Sequence, residues 1–457
     1  LFTLPFCGVS SAIDRRQLMK LVVIGGGYVG LTVAACLASS ENVNVVCLET
    51  NTLRVKQLGL GKCPIREPEL KELIVRGLFM GNLSFTAQEG EAIHGADLFI
   101  VAVGTPSSPD GMPDLSQLRH AVKTIGKHLD RDATVIIKST VPPGGTKLVQ
   151  EWLSSSLCCQ DLIVDVVYCP EFLREGHAVS DFRSPERLVI GSDTLSAAQK
   201  TLALHRLCQS ESAAVIYTSA RNAELIKYAS NAFLALKVAF VNELDELCEN
   251  CKGDIRTVTA GMGLDSRIGK AYLRAGLGYG GACLPKDTQG LTWYARSVNS
   301  AMRILEQAIR SNEAHLEWIA ELIAKQIPDD AVIGVWGLTF KANTDDLRNS
   351  PAIALVHALS EKCGCRFQLF DPTVHVRQID LLRNVNHTCV RHPEDAALNA
   401  DALLIAVPWE EFKTVSLSEI KSRMRTGLIF DVCLLRCQDL PDVDGVSYIQ
   451  PGGGVSW

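Results

Sequence analysis

Residues 20–30 read KLVVIGGGYVG, a short apolar run that ends in three consecutive glycines. Lys20 to Ile24 has the apolar character of a strand covered on both faces. Tyr28 to Ala38 then places apolar residues at helical spacing, so the glycines fall at a strand-to-helix turn. Gly25, Gly27 and Gly30 satisfy GxGxxG. Glycines at these positions permit a tight turn, the approach of a pyrophosphate to backbone N–H groups, and close packing of helix on strand. A second strand, Val43 to Leu48, ends at Glu49, about twenty positions further on. A carboxylate there accepts a hydrogen bond from a ribose 2′-OH and repels a 2′-phosphate. The segment predicts a dinucleotide site for NAD rather than NADP.

Working outward, further strands are predicted at Leu98 to Val103, Ala133 to Lys138, Asp165 to Tyr168 and Arg187 to Ile190. Strands separated by helices imply a parallel sheet covered on both sides. From about Glu211 to Gln326 strand signals vanish and helices dominate, the longest over roughly Asn222 to Lys252. The first pattern returns at Val332 to Trp336, Phe367 to Phe370, Ala402 to Val407 and Leu428 to Val432. The expected architecture is α/β: two Rossmann-like, doubly wound parallel-sheet domains joined by a central helical domain. The boundaries are residues 19–210, 211–326 and 327–457, with 1–18 as an extension outside the fold. In those first residues the charges of Asp14, Arg15 and Arg16 follow the apolar part, the reverse of a signal peptide.

At 457 residues the chain exceeds one ordinary core. Its net charge of −6 argues against a coat for nucleic acid, so an anionic ligand must be held by local groups. No apolar run approaches the roughly 20 residues that cross a bilayer. The sixteen cysteines are scattered through apolar strands and helices, which predicts reduced thiols in a cytoplasmic protein. Cys248 and Cys251 form a CxxC within a helical pattern and lack a second ligand pair, so no metal site is predicted.

Residues 278–287, GYGGACLPKD, set Cys283 just before a helix start, with Pro285 suited to the first helical position. A thiol at a helix N-terminus feels the positive end of the dipole, which predicts a lowered pKa. Lys227 and Asn231, four apart, share a face of the long helix. A thiolate that forms a hemiacetal and then a thioester needs donors where oxyanion charge develops, and a carboxylate to activate water. Cys283, Lys227, Asn231, Asp287 and Glu171 supply those parts. Two more loops, Val103 to Pro106 and Ser139 to Gly144, fall at strand C-termini, where open α/β sheets bind ligands.

In order along the chain stand GGGYVG, VGTP, STVPPG, PEFLREG, LIKYASNAFLALKVAFVNEL, GYGGACLPKD and FKANTDDLR. Together they resemble the UDP-glucose/GDP-mannose dehydrogenase family. The resemblance implies a homodimer with the long helix at its interface, and oxidation of a nucleotide sugar's C6 alcohol to a carboxylate with two NAD. It implies that Cys283 captures the aldehyde, that Lys227 and Asn231 stabilise oxyanions, and that Asp287, Thr140 and Glu171 hold or activate water. NAD contacts are implied for Gly25, Gly27, Tyr28, Val29, Gly30, Glu49, Arg54, Thr105, Thr140, Glu175 and Lys286. For the nucleotide sugar they are Glu171, Phe172, Leu173, Lys227, Asn231, Tyr279, Gly280 and Lys341, with Arg267 reaching a partner subunit's nucleotide. PEFLREG followed by PERLVIG (Pro185 to Gly191) resembles the UDP-glucose branch. Where that branch carries an Asp-Gly-Arg-Asn-like turn, this chain reads Asp431-Val432-Cys433-Leu434, which leaves a UDP-N-acetylhexosamine or GDP-mannose as alternative substrates. The Gly334 to Gly337 loop lacks a full fingerprint and suits the nucleotide-sugar half.

Overall fold

In a computed structural model, residues 19–374, 380–436 and 443–453 are described. The expectation for residues 1–18 lies outside them. Eight strands build the first sheet: β1 (Met19–Ile24), β2 (Val43–Leu48), β3 (Leu83–Thr86), β4 (Leu98–Val101), β5 (Ala133–Ile137), β6 (Val164–Tyr168), β7 (Arg187–Gly191) and β8 (Ala214–Thr218). Their order is β3-β2-β1-β4-β5-β6-β7-β8. Every pairing is parallel except β6 with β7. Six parallel strands build the second sheet: β9 (Val332–Trp336), β10 (Arg366–Phe370), β11 (His387–Cys389), β12 (Ala402–Ile405), β13 (Leu428–Asp431) and β14 (Ser447–Ile449). Their order, β11-β10-β9-β12-β13-β14, repeats the doubly wound plan.

The continuous apolar runs have the expected cause. Leu21 and Val23 of β1 enter one apolar core, and their neighbours Val22 and Ile24 enter another on the opposite face. Alternate side chains point to opposite faces, so a strand covered on both sides is apolar throughout.

Four strands escaped the sequence pattern: β3, β8, β11 and β14. The expectation that strands vanish after Glu211 is corrected by β8, which pairs with β7 at the edge of the first sheet. β8, Ala-Val-Ile-Tyr-Thr, is a short apolar run that the pattern overlooked, and it is exposed or half-buried at every position. β11 and β14 span three residues each and are nowhere fully buried. Edge strands lack the second neighbour that demands apolar side chains.

Between the sheets runs the long helix Ala220–Cys251, 32 residues and about 48 Å at the usual rise. Ser219 caps it by accepting from Asn222 N–H. The helices Leu284–Ser297 and Arg303–Ala324 pack along it.

Candidate active site

The first cleft, about 550 Å³, opens at the C-terminal ends of β1 and β4, where the strand order reverses. Gly25, Gly27, Glu49 and Arg54 line it, with Val103 and Gly104 from the loop after β4. Each glycine has a separate task. Gly25 has φ +106°, and a Cβ there would lie 2.6 Å from the Ala102 carbonyl oxygen. A Cβ on Gly30 would lie 1.8 Å from the Gly25 carbonyl oxygen, so Gly30 seals helix against turn. A Cβ on Gly27 would meet nothing within 4 Å; that open space suits the close approach of a pyrophosphate. Glu49, almost wholly buried, accepts from Gly26 N–H at 3.0 Å and Asn51 N–H at 2.8 Å, and pairs with Arg54 at 3.4 Å. The residues fit NAD, and Glu49 disfavours a 2′-phosphate.

Other expected cofactor contacts fall elsewhere. Val29 packs against the apolar core. Thr105 and Thr140 are buried at the ends of β4 and β5 and line neither cleft. Ser139 Oγ donates to the Val103 carbonyl at 2.8 Å, tying those two loops together. Three further side chains expected at NAD are engaged with other groups of the protein. The Tyr28 hydroxyl bonds the buried Glu67 carboxylate and accepts from Gly176 N–H at 2.7 Å. Glu175 lines the second cleft, where its carboxylate accepts from Thr344 Oγ at 2.9 Å and its carbonyl from Lys341 Nζ at 2.7 Å. Lys286 pairs with Asp287 at 2.5 Å. Tyr28 and Glu175 have partners on distant elements, and Lys286 has its own neighbour on the same helix.

The second cleft, about 730 Å³, draws its walls from the first sheet's loops, the long helix and the second sheet's first loop. Glu171, Phe172, Leu173, Lys227, Asn231, Tyr279, Gly280, Cys283 and Lys341 all line it. One face of the long helix organises the chemistry. Glu224, fully buried, accepts from Gly144 N–H at 2.6 Å and Thr146 N–H at 2.7 Å. It thereby satisfies the N-terminus of helix Gly145–Ser154, a role expected of a serine or threonine. Lys227, three residues on, donates to the Glu171 carbonyl at 2.7 Å and carboxylate at 2.8 Å. Asn231, a turn further, donates to Asp287 at 2.5 Å, and the Asp287 side chain is wholly enclosed. Burial opposes the charge on Lys227, yet the fields of Glu171, Asp287 and Cys283 outweigh it and hold its pKa above the usual lysine value. Lys227 is a fixed cation, suited to a developing oxyanion.

Cys283 is the N-cap of helix Leu284–Ser297, so Pro285 occupies the second helical position rather than the first. The expectation of a lowered thiol pKa is corrected: it is pushed up to about 11. Burial is the first cause, and the Glu171 and Asp287 carboxylates add to it against Lys227 and Lys286. The side chain nonetheless remains open to the cleft.

Sequence reasoning missed Lys138 and Arg187 on the cleft wall. The Arg187 guanidinium lies 4.1 Å from the Phe172 ring centre, a cation–π contact with no local signature. Arg267 is outside this cleft, exposed and paired with Asp265 at 2.6 Å. At the altered turn, buried Asp431 accepts from Leu435 N–H, Arg436 N–H, Tyr448 Oη and Gln450 Nε2. Arg436 donates to the Phe412 and Val415 carbonyls, so it holds its own domain together and does not replace the missing arginine.

A glycine cradle for NAD beside a cleft with a cysteine, a buried lysine and paired carboxylates defines an NAD-dependent nucleotide-sugar dehydrogenase. The chain belongs to the UDP-glucose/GDP-mannose dehydrogenase family: its NAD binding domain matches residues 19–209, its central domain 221–314 and its UDP binding domain 334–436. A UDP-glucose 6-dehydrogenase of Rhizobium meliloti is 38% identical over 440 residues, covering 95% of this chain and 99% of that one. A UDP-glucose dehydrogenase structure from Pyrobaculum islandicum superposes with a TM-score of 0.86 at 34% identity, covering 93% and 97%. A UDP-D-ManNAc dehydrogenase structure from Pyrococcus horikoshii reaches 0.83 at 29% identity, covering 95% and 100%.

Proposed function

We propose that this chain oxidises the C6 alcohol of UDP-glucose to the carboxylate of UDP-glucuronate, consuming two NAD per sugar. The observation that carries this reading is the convergence of Cys283, the Lys227–Glu171 pair and the Asn231–Asp287 pair at one cleft. Gly25, Gly27 and Glu49 would hold NAD in the first cleft, where it would supply a hydride acceptor for each of the two oxidations.

The chain's own groups supply the rest. Lys227 and Asn231 donate to the C6 oxygen as it gains negative charge. The Cys283 sulfur bonds to the aldehyde carbon, and the thiol proton passes to the carbonyl oxygen, giving a thiohemiacetal. Loss of a hydride and a proton leaves a thioester. Water then adds to its carbonyl, the C–S bond breaks, and the thiol regains a proton. Glu171, on the cleft wall, holds that water, and Asp287, enclosed behind Asn231, fixes that amide in place. The raised thiol pKa means Cys283 waits in its protonated form, so sulfur attack is coupled to proton removal.

A sister activity on a UDP-N-acetylhexosamine has its own support: the turn at Asp431 lacks the arginine of the UDP-glucose branch, and a UDP-D-ManNAc dehydrogenase shares the fold closely. A panel of UDP- and GDP-sugars with NAD decides between them. Two NADH per UDP-glucose supports the leading reading, and turnover confined to another sugar transfers it. A homodimer is proposed from Phe233, Phe240 and Leu247, exposed seven residues apart along the long helix. The cysteines among the described residues are unpaired, which supports a reducing, cytoplasmic setting.

A further inference from the structure

The loop that delivers Cys283 is held by side chains that do not line the cleft. Gly276 N–H donates to Asn242 Oδ1 at 3.1 Å, and the Gly276 carbonyl faces His315 Nε2 at 2.9 Å. Three residues on, Tyr279 N–H donates to Asn312 Oδ1 at 2.8 Å, and Asn312 Nδ2 donates back to the Tyr279 carbonyl at 3.2 Å. One side-chain amide therefore satisfies both backbone groups of Tyr279, as a neighbouring strand would. His315 is fully buried, and Glu246 fixes its ring from the other nitrogen at 2.8 Å. Gly278 adopts φ +112°, and a Cβ there would lie 2.6 Å from Asn312 Oδ1. The fit is close enough to exclude any side chain between clamp and loop.

We propose that Asn312 and His315 are positioning residues that set the Cys283 sulfur for its attack on the aldehyde. They act through residues 276–283 and touch neither substrate nor cofactor. The proposal rests on the reading that Cys283 forms the thiohemiacetal. Its physical basis is that a displacement of about 1 Å at a reacting atom costs up to about a hundredfold in rate. The first oxidation needs no sulfur, whereas the second does, so loosening the clamp should separate the two.

The test follows single turnover of UDP-glucose with excess NAD, counting NADH in each phase and trapping free aldehyde with a hydrazine. Asn312→Ala should leave the first NADH within about threefold and slow the second about a hundredfold, with trapped aldehyde appearing. His315→Gln, which keeps a donor toward Gly276, should retain the second phase, and His315→Leu should lose it. NAD affinity and thermal melting identify folded variants, and the His315 pair decides the matter if Asn312→Ala is insoluble. Equal slowing of both phases, or of neither, in a folded variant overturns the proposal. Cys283→Ser separates the two claims. If that variant still completes the second oxidation, the underlying reading fails; if it stops there while Asn312→Ala does not, only the positioning role fails.

Discussion

Lys227 Nζ lies 2.8 Å from a Glu171 carboxylate oxygen and 2.7 Å from the same residue's carbonyl, and the two side chains are only 3% and 10% exposed. Breaking such a pair strands a buried charge, which costs about 3–5 kcal/mol. Lys227→Met should therefore lower the urea midpoint and reduce kcat by about 10²–10³-fold, the usual loss for an oxyanion donor. The double variant Lys227→Met/Glu171→Gln should recover stability without activity. Recovery of turnover in the double variant would remove Lys227 from the chemistry.

Gly27 and Gly30 should fail differently. Gly27→Ala meets open space, so it should fold normally while NAD affinity falls about tenfold or more. Gly30→Ala drives a methyl into the Gly25 carbonyl and should lose about 1–3 kcal/mol or more of stability. Calorimetric titration with NAD beside denaturant unfolding separates the two. Equal stability of both variants would contradict the assigned roles.

Cys283, with its thiol pushed up to about 11, is protonated at neutral pH in the free protein. Its alkylation by iodoacetamide, followed peptide by peptide, should rise about tenfold per pH unit from 7 toward 10, since the thiolate is the nucleophile. A plateau below pH 9 would restore the helix-dipole expectation.

Glu175 gives a second pH signal. Burial first, then the Asp346 carboxylate, push its pKa up to about 7 from the usual 4.5. Between those values the folded chain binds more protons than the unfolded chain, so stability falls as pH rises through the window. The extra stability is complete below about pH 4.5 and gone above about 7. The urea midpoint should drop between pH 5 and 8, and Glu175→Gln should shrink that drop. An unaltered pH dependence would place the titration elsewhere.

The cofactor half was legible because its determinants are local. A strand, a glycine turn, a helix and an acid at the next strand's end lie within thirty residues, and each leaves its own pattern. The interior strands were legible for the same reason, whereas β3, β8, β11 and β14 at or near the edges were not. In the second cleft the residue types could be read, but several partners could not. Tyr28, Glu175 and Lys286 were expected at NAD and are engaged with Glu67, Thr344 and Asp287.

By itself, the sequence determined where each chemically able group sits on its own element: Cys283 before a helix, Lys227 and Asn231 on one face, glycines at the β1 turn. Only the tertiary structure decided what those groups experience. Lys227 meets Glu171 and Asn231 meets Asp287 across 56 residues each. Those contacts keep the lysine charged, and burial beside the two carboxylates raises the thiol that the local helix dipole alone would have lowered. The reason is range: a helix terminus acts within one turn, while desolvation and charge depend on every element packed around the site.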